Sequence, residues 1–117
     1  MPGQPIEVYN GTPGTTGATI YTTPAGNNVS LSTILATNVT ATAATVTIEH
    51  VPSGQAAGTG YMVAGALSVA ANAVGHVIAA GEEIVLGPGD TLYALQGTAN
   101  AVNLHIAGEL LPFGTQE

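Results

Sequence analysis

The chain has 117 residues with no Cys, no Trp, no Lys and no Arg, and its seven acids give a formal net charge of −7. That length suits one domain, which at this size buries roughly two-thirds of the surface its unfolded chain exposes. Without basic side chains the chain cannot neutralise nucleic-acid phosphates, attract itself to anionic membranes or clamp a phosphate with Arg or Lys. Without Cys it has no disulfides.

The 45% apolar content argues against disorder. With charged residues at 6%, solubility falls to Thr, Ser, Asn, Gln and the few acids. Met1-Pro2-Gly3 opens a polar stretch with no basic or apolar signal-peptide regions, so no signal peptide is expected. The low-polarity stretch Tyr61–Gly81 is dominated by Ala and Gly and contains Ser68, Asn72 and His76. It is not read as a membrane span.

In chain order, Ile6–Tyr9 reads as a first short strand, and Gly11–Gly17 as a turn-rich link. Ala18–Thr22 is a strand ending at the turn Pro24-Ala25-Gly26-Asn27. Asn28–Val39 is a longer strand with Val29, Leu31, Ile34 and Leu35 as core candidates, and the phase break between Leu31 and Ile34 predicts a bulge. Ala44–Val51 alternates, with Val46 and Ile48 on one face and Thr45, Thr47 and Glu49 on the other. Pro52-Ser53-Gly54 ends it, and Gln55–Gly60 is a loop. In the Ala-rich Tyr61–Ala70 the expected strand is Leu67–Ala70.

Further strands are expected at Val74–Ala79 and Glu83–Leu86, then the turn Gly87-Pro88-Gly89-Asp90 and a strand over Thr91–Gln96. Val102, Leu104 and Ile106 then alternate with Asn103, His105 and Ala107 in the last clear strand. Short strands at this spacing predict an all-β protein with one antiparallel β-sandwich. Strand order is not visible in the sequence, so jelly-roll-like and immunoglobulin-like arrangements both remain open. The expected organisation is an extended N-terminal arm over 1–17, the sandwich over 18–110 and a C-terminal tail over 111–117.

His50, His76 and His105 sit on three different expected strands. They could hold zinc if those strands converged, but they lack any short ligand spacing and read more simply as surface histidines. At a subunit interface they would make assembly pH-sensitive. Glu82, Glu83 and Asp90 flank one strand and its turn. Carboxylates there could take calcium, but the spacing fits no calcium loop, and the simpler reading is a solvated loop with Asp90 capping a turn. Ser30, Ser32, Ser53 and Ser68 lie in no nucleophile-elbow motif, and the scattered acids define no glycosidase pair. No catalytic, cofactor or metal residue is therefore assigned, and the chain is read as non-enzymatic.

Tyr9, Tyr21, Tyr61, Tyr93 and Phe113 are too dispersed for an evident sugar platform, and most read as core edges, the tyrosines with a wet hydroxyl. Asn10, Asn28 and Asn38 begin Asn-x-Ser/Thr sequons, as chance allows in a chain so rich in Thr and Asn.

The run Ile20-Tyr21-Thr22-Thr23-Pro24-Ala25-Gly26, then Leu31 to Asn38, Ala44-Thr45-Val46-Thr47-Ile48 and Val51-Pro52-Ser53-Gly54 resembles small virion structural proteins of tailed bacteriophages. Ala80-Gly81-Glu82-Glu83-Ile84, Gly89-Asp90-Thr91-Leu92-Tyr93-Ala94 and Ala99–Leu104 continue the resemblance, which covers about Ala18 to Leu110. Members of that class usually carry some Lys and Arg in these loops, and this chain has none.

The resemblance implies a capsid decoration (cement) protein: a β-sandwich on the outer capsid surface of the virion. Such a protein clamps neighbouring subunits of the major capsid protein, commonly as a homotrimer, and has no nucleic-acid or membrane partner. The N-terminal arm would be free to add to a neighbour's sheet edge. A phage tail, neck or fibre component is the alternative, and a secreted or cell-surface carbohydrate-binding module is a second.

Overall fold

The computed structural model describes residues 4–77 and 84–112. Within them lie nine strands: β1 (Gln4–Gly11), β2 (Ala18–Thr22), β3 (Asn27–Asn38), β4 (Ala44–Val51), β5 (Met62–Val69), β6 (Val74–His76), β7 (Ile84–Leu86), β8 (Thr91–Gln96) and β9 (Val102–Pro112). They form two antiparallel sheets. The first has the order β1-β9-β3-β6, with β7 also on β3, and the second has the order β2-β8-β4-β5. The strands β6 and β7 pair with different stretches of β3, Leu35–Thr37 and Val29–Leu31. They therefore share one strand position in two pieces. The chain changes sheet at every connection except β4 to β5 and β6 to β7. This interleaving is the order of a jelly roll, and it excludes the immunoglobulin arrangement.

The core lies between the sheets and follows the alternation. Val102, Leu104 and Ile106 of β9 face Ile48, Leu92 and Ala94 of the other sheet, with Val29, Leu31, Ile34 and Leu86 beside them, all at most 1% exposed. The predicted bulge in β3 is present, as the β3–β9 register shifts between Leu31 and Thr33.

The residues expected to be an arm over 1–17 divide differently. Gln4–Gly11 is β1, hydrogen-bonded along β9 of the same chain, because Ile6 and Val8 bury inward against the core. Leu111 and Pro112, expected in the tail, complete β9. The strand expected at Leu67–Ala70 begins earlier, at Met62. Two register shifts against β4 displace its side chains and hide the alternation. Of the strand expected at Val74–Ala79, residues 74–76 form β6, and 78 and 79 lie outside the described residues.

All four sheet borders are interrupted. β1 shifts register between Glu7 and Tyr9, β2 between Thr19 and Tyr21, and β5 twice, with Ala66 at a positive φ of 48°. The fourth border is divided between β6 and β7, each of three residues. Short, bulged borders are poor templates for strand addition.

At one end of the sandwich two buried amides tie the loops. Gln96 is 0% exposed at the inward phase of β8. Its Oε1 accepts from the N–H groups of Ala101 (3.1 Å) and Val102 (2.7 Å), and its Nε2 donates to the carbonyl of Pro13. Asn38, 1% exposed at the end of β3, donates to the carbonyls of Thr42 (2.8 Å) and Val69 (3.0 Å). Its Oδ1 accepts from the N–H and hydroxyl of Thr40 at 2.9 and 2.7 Å. The loops after β1, β3 and β8 are thereby pinned to a strand, and the loop after β5 is held by backbone bonds from Asn38 N to Ala73 O and from Asn72 N to Thr40 O. Buried backbone groups need such partners.

Candidate functional site

The opposite end gathers the turns after β2, β4 and β7, and here the ionisable groups meet. Pro52–Gln55 and Gly87–Asp90 are closed by hydrogen bonds from Gln55 N to Pro52 O and from Asp90 N to Gly87 O. Each has glycine at the third position, Gly54 (φ 81°) and Gly89 (φ 79°), in the left-handed conformation a type II turn needs. These turns aim Asp90 at the end of β4. Its Oδ2 accepts from Gly87 N at 2.9 Å and its Oδ1 from Ser53 N at 2.9 Å.

His50 occupies the next inward phase after Val46 and Ile48, and its Nε2 lies 2.8 Å from Asp90 Oδ2. An ionised carboxylate can only accept, so this imidazole nitrogen carries the proton and donates. Burial pushes the Asp90 carboxyl up. The hydrogen bonds from His50, Gly87 and Ser53, with the His50 charge, outweigh that and hold it below the ordinary 3.8. Beneath the turn, Thr23 N donates to Asp90 O (2.9 Å) and Gly89 N to Thr23 O (3.1 Å). The Thr23 hydroxyl is buried with no partner among the described residues.

The arrangement is a fastening between two turns. Both Asp90 oxygens are engaged by protein donors, which leaves this carboxylate filled as a turn cap rather than presented to a cation. Glu82 and Glu83, its possible calcium partners, lie outside the described residues.

The three histidines do not converge. His76 on β6 and His105 on β9 are both register partners of Leu35, so they flank it on the outer face of the first sheet. His50 belongs to the second sheet. Among the described residues no three His, Asp or Glu side chains are grouped to hold a metal, and no helix is long and apolar enough to cross a membrane.

The tyrosines form no common platform in the contacts described. Tyr9 and Tyr21 pack against the core, while the Tyr93 ring lies over Gly17, where a Cβ would be 2.1 Å from its hydroxyl oxygen.

The two outer faces differ. On the second sheet, Thr47 and Glu49 are buried at 8% and 5% exposure although they point away from the core. The chain leaving β4 returns to them, and Gly58 N donates to Glu49 Oε1 at 2.9 Å. Among the described residues the first sheet's outer face is the more open one, although Ser30 on it is 9% exposed. Its border carries Val74 and Val85, 52% and 49% exposed, with Leu35 half-buried beside His76. Val74 lies opposite Thr37 and Val85 opposite Ser30, towards the two ends of β3.

The buried amides are the polar anchors that the sequence reading missed. Gln96 carried a signal, because it follows Leu92 and Ala94 at the inward phase of an alternating strand. No family model, curated protein or solved structure matches the chain.

Proposed function

We propose that this chain is a non-enzymatic structural protein of a tailed-phage virion, a decoration (cement) protein. In this reading it sits on the outer capsid surface and bridges major capsid subunits as a homotrimer. The observation that carries the proposal is the surface: a chain without one Lys or Arg, whose more open sheet face bears exposed valines and short Ser and Thr side chains beside Glu7 and Glu109. Burying Thr, Ser, Asn and Val costs less side-chain entropy than burying Lys or Glu, so such a face suits a permanent contact. The charge of −7 favours a position away from packaged DNA. The two sheets form a rigid body that adds binding energy to the assembled shell by mass action.

The test is native mass, followed by binding to expanded capsids of the phage whose genome encodes the chain. Saturation at a fixed ratio to the major capsid protein, with a higher shell melting temperature, is the expected result. A monomer that leaves capsids unbound overturns the proposal.

A further inference from the structure

We infer that the outer face of the first sheet is the docking surface and that its partner is a basic protein surface, one carrying Lys or Arg around an apolar patch. The inference rests on the capsid reading above and deepens it. Three observations converge on this face. First, all four sheet borders are bulged or split, so a neighbour gains little by strand addition and must dock on a face or an end. Second, the other sheet's outer face is partly covered by its own chain at Glu49 and Thr47. Third, this face carries exposed apolar groups, Val74 beside Leu35 towards one end of β3 and Val85 towards the other, and a polar side where Glu7 and Glu109 are exposed.

The register puts the two acids together. Glu7 pairs with Ala107, and Glu109 pairs with Pro5 and Ser30, so the carboxylates are diagonal neighbours on adjacent strands. The chain has no Lys or Arg to set against them. Any side-chain cation set against them comes from a partner, and complementarity of that kind sets register and association rate. A second copy of this chain, equally without Lys and Arg, supplies none.

Two double variants test the face: Glu7→Lys with Glu109→Lys, and Val74→Asp with Val85→Asp. Val39→Asp, exposed at the amide-tied end, is the control. Each is first checked for an unchanged melting temperature and native mass, then titrated against the same expanded capsids at two salt concentrations. The expected result is a tenfold or greater loss of affinity for both face variants and none for Val39→Asp. Added salt should weaken the wild type more than the charge-reversed protein. Wild-type binding with unaffected face variants overturns this inference and leaves the capsid reading standing. Wild type that binds no capsid overturns both. A fall in native mass for the Val74/Val85 variant assigns the face to a second copy and also overturns the inference.

Discussion

The backbone of β9 at Gly108 runs so close to Ser30 that a Cβ at position 108 would lie 2.2 Å from the Ser30 carbonyl oxygen. The contact sits beside the β3 bulge, which swings the strand against its neighbour. The opposing atoms are backbone and cannot rotate away. Gly108→Ala should therefore cost about 3 kcal/mol, read as a lower urea midpoint at unchanged slope. Wild-type stability in this variant would mean that β3 and β9 can separate locally without loss.

Gln96→Leu keeps the shape of the side chain and removes its bonds. Two backbone N–H groups and the Pro13 carbonyl lose their partner at once. At about 1–3 kcal/mol for each stranded buried group, the loss should reach roughly 3 kcal/mol or more. Asn103→Ala removes an exposed bond from the Thr12 hydroxyl and should change stability by less than about 0.5 kcal/mol. Chemical denaturation of the two variants side by side checks the contrast.

Asp90 sets part of the acid response. Its carboxyl is held below the ordinary value in the folded protein, so the folded state binds its proton less readily than the unfolded chain does. The stabilisation is complete above the unfolded carboxyl value and is lost as pH falls through the folded one. Asp90→Asn should cost about 2 kcal/mol at neutral pH through weakened charged hydrogen bonds. It should also give a flatter stability profile below pH 4 than wild type. Parallel acid limbs for the two proteins would show that other carboxylates carry the effect.

Thr23→Val should stabilise. The hydroxyl is buried without a partner among the described residues, and Val has the same shape without the cost of dehydrating a polar group. A gain of about 1 kcal/mol is expected, measured as a higher melting temperature. The backbone bonds of Thr23 to Asp90 and Gly89 are untouched by the change.

How much of this was legible in the sequence depended on alternation and turns. Both are local, and both are clear in Ala44–Val51, in Val102–Ile106 and in the Gly-bearing turns. The β3 bulge showed as a break in phase. β5 was half-hidden because its two register shifts scramble the period-2 pattern. The N-terminal residues read as an arm with one short strand, Ile6–Tyr9, because the turn-rich link Gly11–Gly17 follows it. Their partner, β9, lies about a hundred residues away, where no local pattern can reveal the pairing. For the same reason His50 and Asp90 could be named singly but not as a pair, since the 2.8 Å contact spans 40 positions and is made by two turns folding back. His76 and His105 flank Leu35 by β3 register alone.

The two ends of the sandwich are fastened by different chemistry, and this gives the molecule a direction. The amides of Asn38 and Gln96 do not titrate, whereas the Asp90 carboxylate does. Acid therefore enters from one pole. Amide hydrogens around Ser53 and Gly87 should begin exchanging with solvent while those of Ala101 and Val102 stay protected, because local openings follow the weakest fastening. A load applied at the amide pole is carried by bonds indifferent to pH, and one applied at the other pole is carried by a bond that acid releases.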